Sequence, residues 1–282
     1  MLNRTMITAS NSLSQIQKAL DVVSSNVANV DTTGYKRQVT NFSSLLYQNV
    51  NNQKNPDEEI GRLSPNGIRL GVGTKLSQVQ SQTSQGAIIT TNRTLDIAFT
   101  KENQYLKVLD QVNGNGTVRY TRDGALYISP IGDGNTVVLT NSDGYPILDE
   151  NEDFITFSRD FKEMSFTPTG EMIIELNDGT KQNVNLGIVQ VKKPQFLESS
   201  GGNLVSLPSN MDELNLGVED ILTELTGIQR NQVSIQQGVL EKSNVSLSDE
   251  MTNLITLQRS YQFQSRAVSI ADQMLGLING IR

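Results

Sequence analysis

The sequence predicts an α+β fold, with long helices at both ends of the chain and a central antiparallel β domain inserted between them. Three observations carry this reading. Apolar or small residues recur at alternating spacings of three and four along Leu2–Val30 and again along Leu254–Ile281, the period of helices packed along a seam. From about Thr94 to Val191 the pattern changes to short β-prone runs separated by Gly, Asn and Asp turns. The stretches on either side of that region, Gln48–Gln85 and Ser199–Gly217, are rich in Asn, Gln, Ser and Gly and read as extended connectors. The expected order is an N-terminal assembly helix (1–34), a connector (35–93), the β domain (94–198), a connector with a short helix (199–245) and a C-terminal assembly helix (246–282).

The N-terminal seam runs Leu2, Met6, Ala9, Leu13, Ile16, Leu20, Val23, Val27 and Val30. It lasts about four heptads, whereas an ordinary core helix shows a wider stripe and stops sooner. Asn29, Thr32, Thr33 and Gly34 end it, with Gly34 suited to a left-handed residue. In the middle, strands are expected at Leu95–Phe99, Tyr105–Leu109, Thr117–Thr121, Thr136–Thr140, Met172–Leu176 and Leu186–Val191. Turns are expected at Asn113-Gly114, Asp123-Gly124, Gly132–Asn135, Asp143–Pro146, Thr169-Gly170 and Asp178-Gly179. Val218–Leu225 is read as one short helix.

The C-terminal helix is expected to start near Ser246–Glu250, where a serine can cap and Asp249 and Glu250 suit the positive helix end. It carries two seams. One is Leu254, Leu257, Tyr261, Gln264, Val268, Ala271, Leu275 and Ile278; the other is Phe263, Ala267, Ile270, Met274, Leu277 and Ile281. One partner helix covers one seam, so the second needs further neighbours, at roughly 1.5 to 3 kcal/mol for each large apolar side chain buried. The terminal segments are nearly neutral, which permits crowding. The reading is therefore of a structural subunit that polymerises through its ends.

Composition narrows the chemistry. With 36% hydrophobic residues and a mean hydropathy of −0.33, the 282-residue chain has no run long enough to span a membrane as a helix. Asn3, Arg4, Thr5, Thr8, Ser10 and Asn11 interrupt any signal-peptide core. A net charge of −7 opposes nucleic-acid binding. The acids cluster at Asp57–Glu59, Asp149–Asp153, Asp212-Glu213 and Glu219–Glu224, and read as solvated surface.

The absence of histidine removes Ser-His-Asp and Cys-His catalysis, and the absence of cysteine removes thiol chemistry and disulfides. Gly71-Val72-Gly73-Thr74-Lys75 has neither P-loop nor dinucleotide spacing and reads as a turn. No cofactor or metal is expected. Two other functions remain open at this point. Asp149, Glu150, Glu152 and Asp153 are the densest carboxylates for a secreted carbohydrate-active enzyme or peptidoglycan hydrolase, although no Trp is present to stack on a sugar. A surface adhesin module on a coiled-coil stalk is the other.

Asn26, Ala28, Asn29, Thr32, Gly34 and Tyr35 fall in the pattern Asn-x-Ala-Asn-x-x-Thr-x-Gly-Tyr, which resembles the N-terminal signature of bacterial flagellar rod and hook proteins. Gly238–Val245, Gln258–Tyr261, Ala267-Val268 and Asp272–Leu275 are similar to that family's closing motifs. Leu45–Gln48, Gly67-Ile68, Gly71–Gly73, Ser84–Gly86, Leu95–Ala98, Tyr120–Gly124 and Asp143–Pro146 resemble distal-rod subunits, nearest the variant of Bacillus-like bacteria. Lys101–Leu106 departs from the family's usual Gly-x-Gly-Phe-Phe. The resemblance implies export through the flagellar type III apparatus and a location in the basal body, outside the cytoplasmic membrane. It also implies helical homo-polymerisation and contact with neighbouring rod and hook subunits.

Overall fold

The computed structural model describes residues 2–45, 48–50, 68–71, 73–110, 116–132, 135–208, 210–211 and 217–280. Readings placed on Leu46-Tyr47, Asp57–Glu59, Gly67, Val72, Asn113-Gly114, Asp133-Gly134, Asp212-Glu213 and Ile281 lie outside the described residues.

In chain order the elements are helix α1 (Leu2–Ala28), strands β1 (Gln38–Ser44), β2 (Gln48–Val50), β3 (Ile68–Leu70), β4 (Thr74–Ser81), β5 (Ile88–Thr90), β6 (Ile97–Phe99), β7 (Gln104–Asp110), β8 (Thr117–Thr121), β9 (Tyr127–Ile131) and β10 (Thr136–Thr140). There follow β11 (Thr156–Ser158), β12 (Phe161–Phe166), β13 (Glu171–Leu176), β14 (Lys181–Asn185), β15 (Ile188–Val191), β16 (Glu198–Ser199) and β17 (Leu204–Ser206). The chain closes with one helical turn α2 (Val218–Ile221), β18 (Leu222–Glu224), β19 (Ile235–Gln237), β20 (Val239–Glu241) and helix α3 (Leu247–Gly280). This is an α+β chain with a central β-rich region between terminal helices.

It divides into two compact units. The first holds Met1–Val27, Gln38–Gln80 and Leu247–Arg282; the second holds Ala28–Arg37 and Ser81–Ser246. In the first unit, α1 and α3 are linked by Asn26 to Glu250 at 3.2 Å and Gln17 to Tyr261 at 3.5 Å. One helix counts down as the other counts up, so they run antiparallel. β1 pairs with β4, and the amide of Leu76 on β4 donates to Gln15 Oε1 of α1 at 2.9 Å.

The second unit is built on a six-stranded antiparallel sheet in the order β16-β17-β8-β7-β15-β18, with three-stranded sheets β11-β10-β9 and β12-β13-β14. Its core joins Leu106, Val108, Leu126, Leu139, Ile147, Met172, Ile174, Leu186 and Ile188, all essentially inaccessible. β7 is central and buried on both faces, so it reads as continuous apolar sequence interrupted by Lys107. The helix expected over Val218–Leu225 is one turn only. From Leu222 onward the chain extends, because Leu222 pairs with Val191 at the sheet edge and buries its side chain there.

Candidate assembly surface and a buried charge cluster

Helix α3 presents two rows of apolar side chains with different surroundings. Leu254, Leu257, Tyr261, Val268 and Leu275 are half-buried and Ala271 is buried, whereas Ile278 at the end of the same row is exposed. The other row is open: Phe263 is 74% exposed and Leu277 69%, with Ile270 and Met274 also exposed. On α1, Val23 is buried beside Ala19 and Asn26, while Leu13, Ile16, Leu20 and Val27 are half-buried. Val30 is half-buried past the helix end.

The residues after α1 form a folded turn. Thr32 donates through its amide to the Asn29 carbonyl at 3.3 Å and through Oγ1 to Asn29 Oδ1 at 3.1 Å. Ala28 is exposed at the last helical position and Tyr35 is buried. Gly34 sits at φ +68°, and a Cβ there would lie 2.5 Å from the carbonyl carbon of Arg122, so the position excludes a side chain twice over. Asn26 acts locally as a template: its Nδ2 donates to the Gln38 carbonyl at 2.8 Å and its Oδ1 accepts the Gln38 amide at 2.9 Å.

Within the second unit, this turn docks on a buried charge cluster. Gly34 N–H donates to the Glu241 carbonyl at 2.9 Å. Lys36 Nζ donates to Glu241 Oε1 at 2.7 Å and to the Ser84 carbonyl at 2.8 Å. Arg122 Nε donates to Glu241 Oε2 at 2.5 Å, and its Nη atoms reach the carbonyls of Gln104 and Lys101. The Gly86 amide completes Glu241 Oε1 at 2.8 Å. The side chains of Arg122 and Glu241 are each 1% exposed and that of Lys36 is 7%.

Burial opposes ionisation of Glu241, but Arg122 and Lys36 outweigh it and hold the carboxyl below its usual range. For Lys36, burial first and Arg122 second lower the ammonium pKa. Two cations share one carboxylate, and Lys36 Nζ and both Arg122 Nη atoms each also reach a backbone carbonyl. That satisfaction is what makes a buried ionic group tolerable.

Arg122 and Glu241 lie inside motifs that the sequence singles out and Lys36 directly follows one, yet their partnership is not readable there. The departure at Lys101–Leu106 lies on the same cluster: Asn103 takes φ +61°, a conformation that asparagine tolerates better than most residues.

Three of the four carboxylates weighed for hydrolysis have structural partners. Asp149 Oδ1 accepts the amides of Asn151 and Asp153 at 2.8 Å each, Glu150 meets Arg230 at 3.3 Å, and Glu152 meets Lys107 at 3.1 Å. Among the described residues there is no cluster suited to a metal ion and no helix long and apolar enough to cross a membrane.

Two family models match: "Flagella basal body rod protein" over residues 6–36, and "Flagellar basal body rod FlgEFG protein C-terminal" over residues 236–281. The chain is 44% identical to the flagellar hook-basal body complex protein FlhP of Bacillus subtilis, with 99% of each chain covered. It is 31% identical to the flagellar basal-body rod protein FlgG of Borreliella burgdorferi, covering 99% of this chain and 98% of that one. This chain belongs to the flagellar basal-body rod protein family. The two stretches that match rod-family models meet in the second unit, where Lys36 of the first holds Glu241 of the second.

Proposed function

We propose that this chain is a structural subunit of the flagellar basal-body rod, in its distal part. It is exported by the flagellar type III apparatus, works outside the cytoplasmic membrane and transmits torque from motor to hook without catalysing a reaction. Copies polymerise helically through their terminal helices and meet neighbouring rod and hook subunits at the ends of the stack.

The observation that carries this reading is the open row on α3. Phe263, Ile270, Met274 and Leu277 stand in solvent on one side of a helix whose neighbouring row is already half-covered. Covering them gains roughly 1.5 to 3 kcal/mol apiece, and coiled-coil packing against the helices of adjacent copies provides that cover. The family names of the relatives point to the same organelle. Deleting the gene, scoring motility and imaging isolated basal bodies tests the proposal. Short rods without hooks are expected; intact hook-basal bodies on motile cells would refute it.

A further inference from the structure

Three stretches far apart in sequence close on one another within the second unit: residues 34–37, 82–87 and 239–245. The last of them holds the other two. Glu241 accepts the amides of Gly34 and Gly86 and the Lys36 ammonium, and Asn244 Oδ1 accepts the Arg37 amide at 2.7 Å. Asn244 Nδ2 donates to the carbonyls of Gln82 and Ser84 at 2.9 and 3.0 Å, and the Lys242 amide donates to the Ala87 carbonyl at 2.8 Å. The approach is close enough that a Cβ on Gly86 would collide with the Lys242 carbonyl oxygen.

Without residues 239–245 the turn keeps little to seat on. Lys36 Nζ still reaches the Ser84 carbonyl, the Gln82 amide the Arg37 carbonyl, and Thr33 still meets Asp123 and Asn203. Gly34, Arg37 and Gly86 lose the acceptors named above together, and Lys36 and Arg122 lose their counter-charge. Amides and cations withdrawn from water on those terms cost more than the few surviving bonds return. The sheet has no such dependence: the amides of Lys107, Leu109 and Ile147 donate to the carbonyls of Gly187, Pro146 and Leu139.

We infer that Glu241 is a completion switch: the turn after α1 seats on the second unit only once residues 239–245 have arrived. Synthesis runs from the N-terminus, and Glu241 lies 205 positions beyond Lys36. At about 5 to 20 residues per second the wait is roughly 10 to 40 s. Throughout it the turn stays loose while strands of the sheet are already pairing, so an unfinished chain never carries a seated turn. The switch sets an order of folding within one copy and is independent of how copies assemble.

Hydrogen exchange of the full chain carrying Glu241→Gln tests the switch, because glutamine keeps the shape and removes the charge. The amides of Gly34, Arg37 and Gly86 are expected to exchange as in an unfolded chain, while those of Lys107, Leu109 and Ile147 stay protected by about a hundredfold or more. Pulse labelling of the refolding wild-type chain adds a measurement that no substitution disturbs: Gly34 and Arg37 should gain protection no earlier than Lys242. Continued protection of the turn in the variant, or loss of turn and sheet together, would overturn the switch. So would protection of Gly34 or Arg37 ahead of Lys242 in the wild-type chain.

Discussion

Lys36 and Glu241, 205 positions apart in sequence, form an ion pair of 2.7 Å that is almost fully withdrawn from water. The pair ties the turn after the first helix to the strand that precedes the last one. The end of the first family-matched stretch and the start of the second thus meet inside one folded unit.

Removing the shared carboxylate leaves Lys36 and Arg122 buried without their counter-charge. Glu241→Ala is expected to destabilise the second unit by about 3 to 5 kcal/mol, the range for breaking a buried ion pair on one side. Urea denaturation followed by tyrosine fluorescence measures this. A loss below about 1 kcal/mol would show that the cluster is solvated.

The same cluster sets the pH dependence. Glu241 has a folded pKa below its unfolded value of about 4.3, so its stabilising contribution is present above that value and is lost as pH falls through the folded pKa. Lys36 has a folded pKa below its unfolded value of about 10.4, so between the two the unfolded state binds more protons and stability rises with pH. Glu241→Gln should flatten the acid limb of the stability profile and Lys36→Met the alkaline rise. Unfolding midpoints across the pH range decide the matter.

Gly34→Ala should be more damaging than Gly179→Ala. Both sites have positive φ, which costs an alanine roughly 1 to 2 kcal/mol. Only Gly34 also places the new carbon within 2.5 Å of backbone, adding about 1 to 3 kcal/mol of overpacking. Parallel thermal melts compare the two, and equal losses would contradict the close approach.

On α3 the two apolar rows should separate stability from assembly. Ile270→Asp, on the open row, is expected to change monomer stability by no more than about 0.5 kcal/mol and to abolish polymerisation. Val268→Asp, on the half-buried row, should lower the helical circular dichroism of the monomer as well, with the β unit still folded. Wild-type polymers of the Ile270 variant, seen by sedimentation, would remove the open row from the interface.

Much of the architecture was legible because its signals are local. Thr117–Thr121 and Thr136–Thr140 are strands with the bounds that their β-branched residues predict. β9 and β14 were not foreseen: Pro130 interrupts the first, and the second shows one apolar residue, Val184, in five. Both lie at sheet edges, where little apolar burial is required and the alternation that marks a strand fades. Asn103 stands at φ +61° where a glycine would have announced the turn.

The order of residues settled the two helices and the β-rich middle, since helical and strand periods are written in spacings of two to four residues. It also predicted two apolar rows on the last helix, more than a single partner covers. The tertiary structure decided which row is half-covered and which stands open. It decided, too, that Lys36, Arg122 and Glu241 share one buried site. Such a partnership depends on distances under 3 Å between residues far apart along the chain, and no periodicity records a distance of that kind.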